Sequence, residues 1–266
     1  MSEKYWVPAI ERTNLVIGLI AKEPGKHRLI DISKSLNINK STMFSLLNTL
    51  EILGWIVKEK SDTYTLGPTL GGYSAAYFRN FNFLETFHKE AAISVKRLNE
   101  TVQMGTLHGT NIVYLAKEEN DSRVRLVTDP GMQFPAHATA IGKIQLAQYR
   151  HEELVELYSG RELEQNTPYT VKNIDGLWEQ IAAAKQQGYI CEEQEASLGF
   201  YCVSAPIYNY ENKLIYGISF TMLESSWKIK KEQAITEIID LAGRISKHAG
   251  YQQSGHRDGI IPNAVD

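Results

Sequence analysis

Apolar residues recur at steps of three and four through the first hundred positions and then give way to a mixture of strand-like and helical runs. Pro8 suits the first turn of a helix, and Ile10, Val16, Ile17 and Ile20 follow at helical spacing until Pro24-Gly25 breaks the pattern. Leu29, Ile32 and Leu36 mark a short second helix, and Asn37-Ile38-Asn39 is a tight turn whose Asn39 is placed to cap the next element. In that third helix Met43, Leu46, Leu47, Leu50 and Leu53 share one face. Ser41, Ser45 and Asn48 occupy the opposite face, with Phe44 and Thr49 on its flanks, and Gly54 ends the helix. Residues 55–66 read as strand, tight turn and strand, with Lys58 and Lys60 at the tip. Helix, short helix, turn, helix and hairpin in this order is the winged helix-turn-helix arrangement. Periodicity alone leaves open a plain three-helix bundle with a solvated polar face.

Residues 68–100 predict connecting helices carrying Tyr73, Tyr77, Phe83 and Phe87 near one helical register. So much aromatic surface on a connector predicts a second subunit to cover it, with packing onto its own domain as the alternative. Strands are predicted at 101–107 and 111–116, joined through His108-Gly109-Thr110, with a third at 124–127. Helices follow near 138–149, 151–158 and 176–187, then strands at 202–208 and 214–222 around a turn at 209–212, then a closing helix near 230–248. Strands in runs, with helices between and after them, predict an α+β fold. The expected divisions are 1–67 for the winged head, 68–82 for a linker helix, 83–250 for the larger domain and 251–266 for a mobile tail.

Composition changes this picture little. With 266 residues and 43% hydrophobic content the chain can bury two cores, and its net charge of −3 is distributed unevenly. Residues 1–80 hold ten Lys/Arg against seven Asp/Glu, whereas the remainder holds 18 against 24. A slightly basic head on an acidic body is compatible with a small DNA-binding domain. No run approaches the roughly 18 apolar residues of a membrane span, and MSEKYWVPAIER lacks the apolar core of a signal peptide, so the cytoplasm is the expected location. Cys191 and Cys202 lack CxxC spacing and read as reduced thiols.

The chemistry-bearing residues do not assemble into a catalytic motif. Ala140-Ile141-Gly142-Lys143 lacks the upstream glycine and the following Ser/Thr of a phosphate loop, since His137 and Ile144 stand near those places. Ser197, Ser204, Cys191 and Cys202 sit in no nucleophile signature, and His108 and His137 read as turn and helix-start residues. Glu192, Glu193 and Glu195 read most simply as an acidic surface loop. The expectation is a chain with no catalytic residues, no metal site and no cofactor.

The stretches VPAIER, LIDISKSLNINKSTMFSLLNTLEILGWI, YTLG, PAHATAIGKIQLA, GYICEEQEASLGFYCVSAPIYN and LIYGISFT, in this order and at these separations, resemble the IclR-type regulators over residues 7–250. The resemblance implies a winged helix-turn-helix head, a linker helix and an effector-binding domain with a GAF-like curved antiparallel sheet. It implies a ligand-responsive regulator, a repressor, that binds operator DNA as a homodimer or homotetramer. The alternative is a metabolite-binding module whose head has lost DNA binding. One departure stands out: the family commonly carries a basic residue where this chain has Ser45 and often His where it has Phe44. Losing an arginine there removes the strongest guanine-reading contact, so the operator preference is expected to differ.

On this reading Ser41, Thr42, Ser45 and Asn48 face the bases, while Arg12, Lys40, Lys58 and Lys60 meet phosphates. The resemblance places effector contacts at Ala140, Ile141, Glu192, Cys202, Ser219 and Thr221, with Phe134 and Phe200 as apolar wall. Ser219 and Thr221 lie two apart in a predicted strand and therefore face one side of the sheet, where buried hydroxyls need partners. Such a site predicts a small organic acid or hydroxy acid as effector.

Overall fold

The computed structural model describes residues 6–122 and 126–252, apart from the side chains of Phe78 and Asn80. The chain divides into two compact units, Met1–Phe81 and Asn82–Asp266. Among the described residues no helix is long and apolar enough to cross a membrane.

The first unit runs α1 (Pro8–Lys22), α2 (Leu29–Ser35), α3 (Lys40–Ile52), β1 (Ile56–Lys58), β2 (Tyr64–Leu66) and α4 (Pro68–Asn80). Its core is built by the apolar stripes of the three leading helices: Val16 and Ile20, Ile32, then Met43, Leu47 and Leu50, closed by Ile56 and Tyr64 of the hairpin. Ile10, expected on that stripe, is 69% exposed because the first turn of α1 lies outside this core. The turn before α3 is made by Asn37 in the left-handed region (φ 51°). Asn39 then caps the helix by accepting from the Thr42 amide at 2.8 Å. Gly54 (φ 67°) reverses the chain after α3, and β1 pairs antiparallel with β2, Ile56 opposite Leu66.

The second unit contains α5 (Phe83–Leu98), β3 (Thr101–His108), β4 (Asn111–Glu118), β5 (Gln133–Pro135), a 3₁₀ turn (Ala136–Ala138), α6 (Ala140–Leu146), α7 (His151–Leu157), α8 (Ile174–Gln187), β6 (Ile190–Glu193), β7 (Phe200–Tyr208), β8 (Leu214–Leu223) and α9 (Glu224–His248). The six strands form one antiparallel sheet in the order β5-β4-β3-β8-β7-β6. One face, with Val102, Val203, Ile218 and Phe220, packs on α5 and α9. The other meets α6, α7 and α8 through Ile141, Ile144, Leu154, Leu177 and Ile181. This is the expected α+β class, a curled antiparallel sheet with helices on both faces.

Four expectations are corrected. The strand at 124–127 is absent at Leu126 and Val127, while Val124 and Arg125 lie outside the described residues; the edge strand comes later, at β5. Phe87 is fully buried in the core beneath α9, and Phe83 packs edge-on against Tyr216 at 5.0 Å, so neither awaits a second subunit. Tyr73 and Tyr77 remain exposed. Glu192 and Glu195 are buried rather than on a surface loop: residues 190–193 form β6, which takes Glu192 inside, and Glu195 turns in to pair with Lys143; of the three only Glu193 is exposed. Of the expected tail, Tyr251 stacks on Tyr208 at 5.1 Å, and residues 253–266 lie outside the described residues.

Candidate functional site

The head offers α3 and the hairpin. Lys40, Ser41, Ser45 and Asn48 are exposed on the outer side of α3, Thr42 is half-buried, and Arg12 is exposed on α1. The hydroxyls of Ser41, Ser45 and Thr49 are already engaged. Ser41 donates to Asn39 Oδ1 (2.9 Å), Ser45 to the Ser41 carbonyl (3.1 Å) and Thr49 to the Ser45 carbonyl (2.8 Å). At the hairpin Lys58 Nζ lies 2.7 Å from Asp62, and that hydrogen bond holds its ammonium above the usual lysine range. Lys60 is exposed and forms no ion pair among the described residues.

The second unit gathers its polar side chains on the α6 side of the sheet. Alternation and register fix which residues meet: Glu192 lies opposite Cys202, Cys202 opposite Thr221, and Ser204 opposite Ser219, which in turn faces Gln103. Thr221 Oγ1 lies 3.5 Å from Cys202 Sγ and donates to Gln103 Oε1 at 3.3 Å. Gln103 Nε2 donates to Thr128 Oγ1 at 2.6 Å, and Thr128 donates onward to the Leu126 carbonyl at 3.4 Å. A hydrogen-bonded row therefore crosses β7, β8 and β3 and reaches the segment before β5. It borders a cavity of about 260 Å³ lined by Thr101, Gln103, Lys117, Thr128, Phe200 and Thr221, among others. Lys230, also on its wall, is held by Glu100 and by the Leu98 carbonyl, both at 2.7 Å.

Beneath the row lies a buried charge cluster. Lys143 of α6 is 0% exposed and ion-paired with Glu195. Burial, partly offset by Glu195, lowers the affinity of its amine for a proton. Glu195 also accepts from the Val171 amide at 3.0 Å. Glu192, 1% exposed, accepts at Oε1 from the amides of Glu195 and Ala196. Burial pushes its carboxyl up to about 7 against the opposing pull of Lys143 and these two amides. The Cys202 thiol is raised by burial first and by the Glu192 charge second.

Glycines allow α6 to lie this close. Gly105 and Gly217 pair directly across β3 and β8. A methyl group on Gly217 would stand 2.9 Å from Ile144 Cγ2 and 3.2 Å from the Ile141 carbonyl. Gln145 fastens the helix to β3, accepting from the Leu107 amide (3.0 Å) and donating to the Gly105 carbonyl (3.1 Å). Thr139 caps α6 by accepting from the Gly142 amide at 3.1 Å.

Of the effector residues expected from sequence, Phe200 and Thr221 line the cavity. Cys202 stands next along the row, and Glu192 and Ser219 are buried behind it. Ile141 lies over the glycine pair with Ala140 beside it, and both are buried. Phe134 is set apart on β5, edge-on to Tyr114 at 5.7 Å. Sequence reasoning missed Gln103, Thr128, Lys143 and Glu195. Gln103 carries a usable signal, a polar residue between Val102 and Met104 of the same strand; Lys143 is a lone charge within the apolar stretch AIGKIQL, a signal for a buried ion pair.

A family model described as "Bacterial transcriptional regulator IclR C-terminal" matches residues 77–247, and one described as "IclR helix-turn-helix domain" matches residues 9–60. The chain is 28% identical to the HTH-type transcriptional regulator XynR of Escherichia coli over 247 residues, 92% of this chain and 98% of that protein. It is 29% identical to the regulator KdgR of Dickeya chrysanthemi over 230 residues, 84% of this chain and 74% of that protein. The crystal structure of the Agrobacterium tumefaciens repressor BlcR shares the fold with a TM-score of 0.77 at 24% identity, covering 95% of this chain and all of that one. With the helix-turn-helix and the larger unit each matched in its own right, the chain belongs to the IclR family of bacterial transcription regulators, with a DNA-binding head and a C-terminal effector-binding domain.

Proposed function

We propose that this regulator is a cytoplasmic repressor, without catalytic activity, that binds a roughly palindromic operator as a dimer able to pair into tetramers and responds to a small organic acid. The hydrogen-bonded row ending at a cavity of about 260 Å³ is the observation that carries the effector reading. That volume falls below the roughly 300–1,000 Å³ of sites for drug-sized ligands, which favours a compact metabolite. Phe200 and Thr221 meet the ligand first. Cys202, Ser219 and Glu192 stand behind them, the amides at Ala140 and Ile141 take a carboxylate, and Phe200 supplies the apolar wall. Glu192, whose carboxyl gains and loses its proton close to neutrality, can exchange hydrogen bonds with a ligand hydroxyl.

The repressor assignment follows the description of BlcR as a repressor. Assembly as a dimer is supported by the exposed Tyr73 and Tyr77 of α4 and by the exposed Trp6, Val7 and Ile10 at the start of α1. On DNA, α3 enters the major groove with Ser41, Thr42, Ser45 and Asn48, while Arg12, Lys40 and Lys60 meet phosphates and Lys58 does so by exchanging Asp62 for a phosphate oxygen.

The test begins with an electrophoretic shift of the chain's own upstream DNA, repeated across salt concentrations; affinity should fall steeply with salt. A thermal-shift screen over small carboxylic and hydroxy acids then identifies a ligand that alters the shift. Glu192→Gln and the pair Ser219→Ala with Thr221→Val should each weaken that ligand about ten- to a hundredfold. An effector unaffected by either change would place the pocket elsewhere, and a chain that prefers no upstream fragment would refute the operator reading.

A further inference from the structure

The outward surface of α3 holds a residue that the winged-helix reading leaves unused. Phe44 is 63% exposed, in a helix whose inward positions Met43, Leu47 and Leu50 are all buried. It shares a face with Ser41, Ser45 and Asn48 at helical steps of three and four. An exposed aromatic ring amid short polar side chains adds nothing to this unit's core and, on the face offered to DNA, is available to a partner outside the chain.

The hydrogen bonds on this face narrow what that partner is. Each hydroxyl has one proton to give, and Ser41, Ser45 and Thr49 give theirs to Asn39 Oδ1 and to backbone carbonyls. These three can still accept, but they offer no donor to the O6 and N7 acceptors of guanine; Thr42, half-buried, is the one hydroxyl of this group that keeps its proton among the described residues. No arginine stands anywhere in α3, and its one lysine, Lys40, is the first residue, where it suits a phosphate. Asn48 makes no hydrogen bond among the described residues, so its amide keeps both a donor and an acceptor, the pair that matches adenine N6 and N7. The complementary apolar feature of the major groove is the thymine C5-methyl, which an aromatic ring can cover.

We infer that Phe44 reads DNA by packing on a thymine methyl, and that together with Asn48 it makes this head select A·T pairs in each operator half-site. The inference rests on the operator-binding reading above and adds to it the chemistry of the bases read. Phe44 and Asn48 are four residues apart, about 6 Å along the helix axis. At ~3.4 Å per base pair, the thymine and adenine they contact lie within about two steps of each other.

Full-length protein is used to select binders from a random duplex pool, and the enriched site is remade with deoxyuridine in place of each thymine in turn. The expected result is an A·T-rich stretch of two or three pairs in each half-site, with one uridine position where wild-type affinity drops about three- to fivefold. Phe44→Ala should lose a similar factor on the thymine site and show no further loss on the uridine site. Asn48→Ala should relax selection at the neighbouring adenine alone. Because both side chains are exposed, both variants should keep the wild-type melting temperature. Enrichment of G·C pairs at these positions, or wild-type affinity indifferent to every uridine, overturns the inference while leaving operator binding intact. A pool from which no sequence is enriched refutes the operator reading itself, and this inference with it.

Discussion

Replacing Glu192 by Gln changes one titration and little of the packing. Both backbone amides that reach this side chain, from Glu195 and Ala196, point at Oε1, where the glutamine carbonyl oxygen can take over. What the substitution removes is the ionisable group. The free carboxyl titrates near 4.5, whereas the buried one holds its proton up to about 7. Between these values the folded protein binds more protons than the unfolded chain. Stability from this residue is therefore fully present below pH 4.5, declines as pH rises, and is lost once pH passes about 7. At about 1.4 kcal/mol per pH unit, the span corresponds to about 3 kcal/mol. Urea unfolding at closely spaced pH values from 5 to 8.5, followed by tryptophan fluorescence, measures wild type and Glu192→Gln side by side. The stability difference between the two should shift steadily in favour of the variant as pH rises and level off above about pH 7. Parallel profiles across this range would mean that Glu192 ionises in the folded state as it does in water, and that its burial has no electrostatic consequence.

Two further outcomes follow from the same region. Lys143→Met leaves Glu195 buried without its cation and should destabilise the effector domain by about 3–5 kcal/mol in urea titrations; adding Glu195→Gln should recover most of the loss. Gly217→Ala forces a methyl group into Ile144 and the Ile141 carbonyl and should lower stability by about 1–3 kcal/mol, read as a drop in melting temperature.

The head was almost fully legible in the sequence because its signals are local. Asn39, the buried Met43, Leu47 and Leu50 of α3 and Gly54 act on neighbours within a few residues, as their positions required, whereas Leu53, expected on the same face, forms the C-cap and is 50% exposed. The larger unit was legible where period and turn chemistry were local, as in β7, the 209–212 turn and β8. It became obscure where long-range pairing decides. Residues 190–193 are rich in carboxylates, and only their pairing with β7 takes Glu192 out of solvent and into reach of Lys143. Phe83 and Phe87 looked like a subunit contact because the helix α9 that helps bury Phe87 lies some 140 residues further on, a separation no helical period conveys. The eight expected effector residues came from family resemblance. The row that joins some of them through Gln103 and Thr128 depends on strand register and could not be read from spacing.

The paired glycines beneath α6 bear on how a receptor of this kind can change its ligand over generations. Side chains of intermediate size are penalised there from the first step, because a methyl group meets the Ile141 carbonyl of the helix above at Gly217 and the Val113 carbonyl of β4 at Gly105. The sheet floor at this point is closed to gradual exploration. On the effector site proposed above, new specificity arises instead at the cavity end of the row, where Phe200, Thr221 and Thr128 border open space and single substitutions alter the ligand's surroundings without lifting a helix. Directed evolution toward a new effector should accordingly accumulate changes at that end and leave Gly105 and Gly217 untouched.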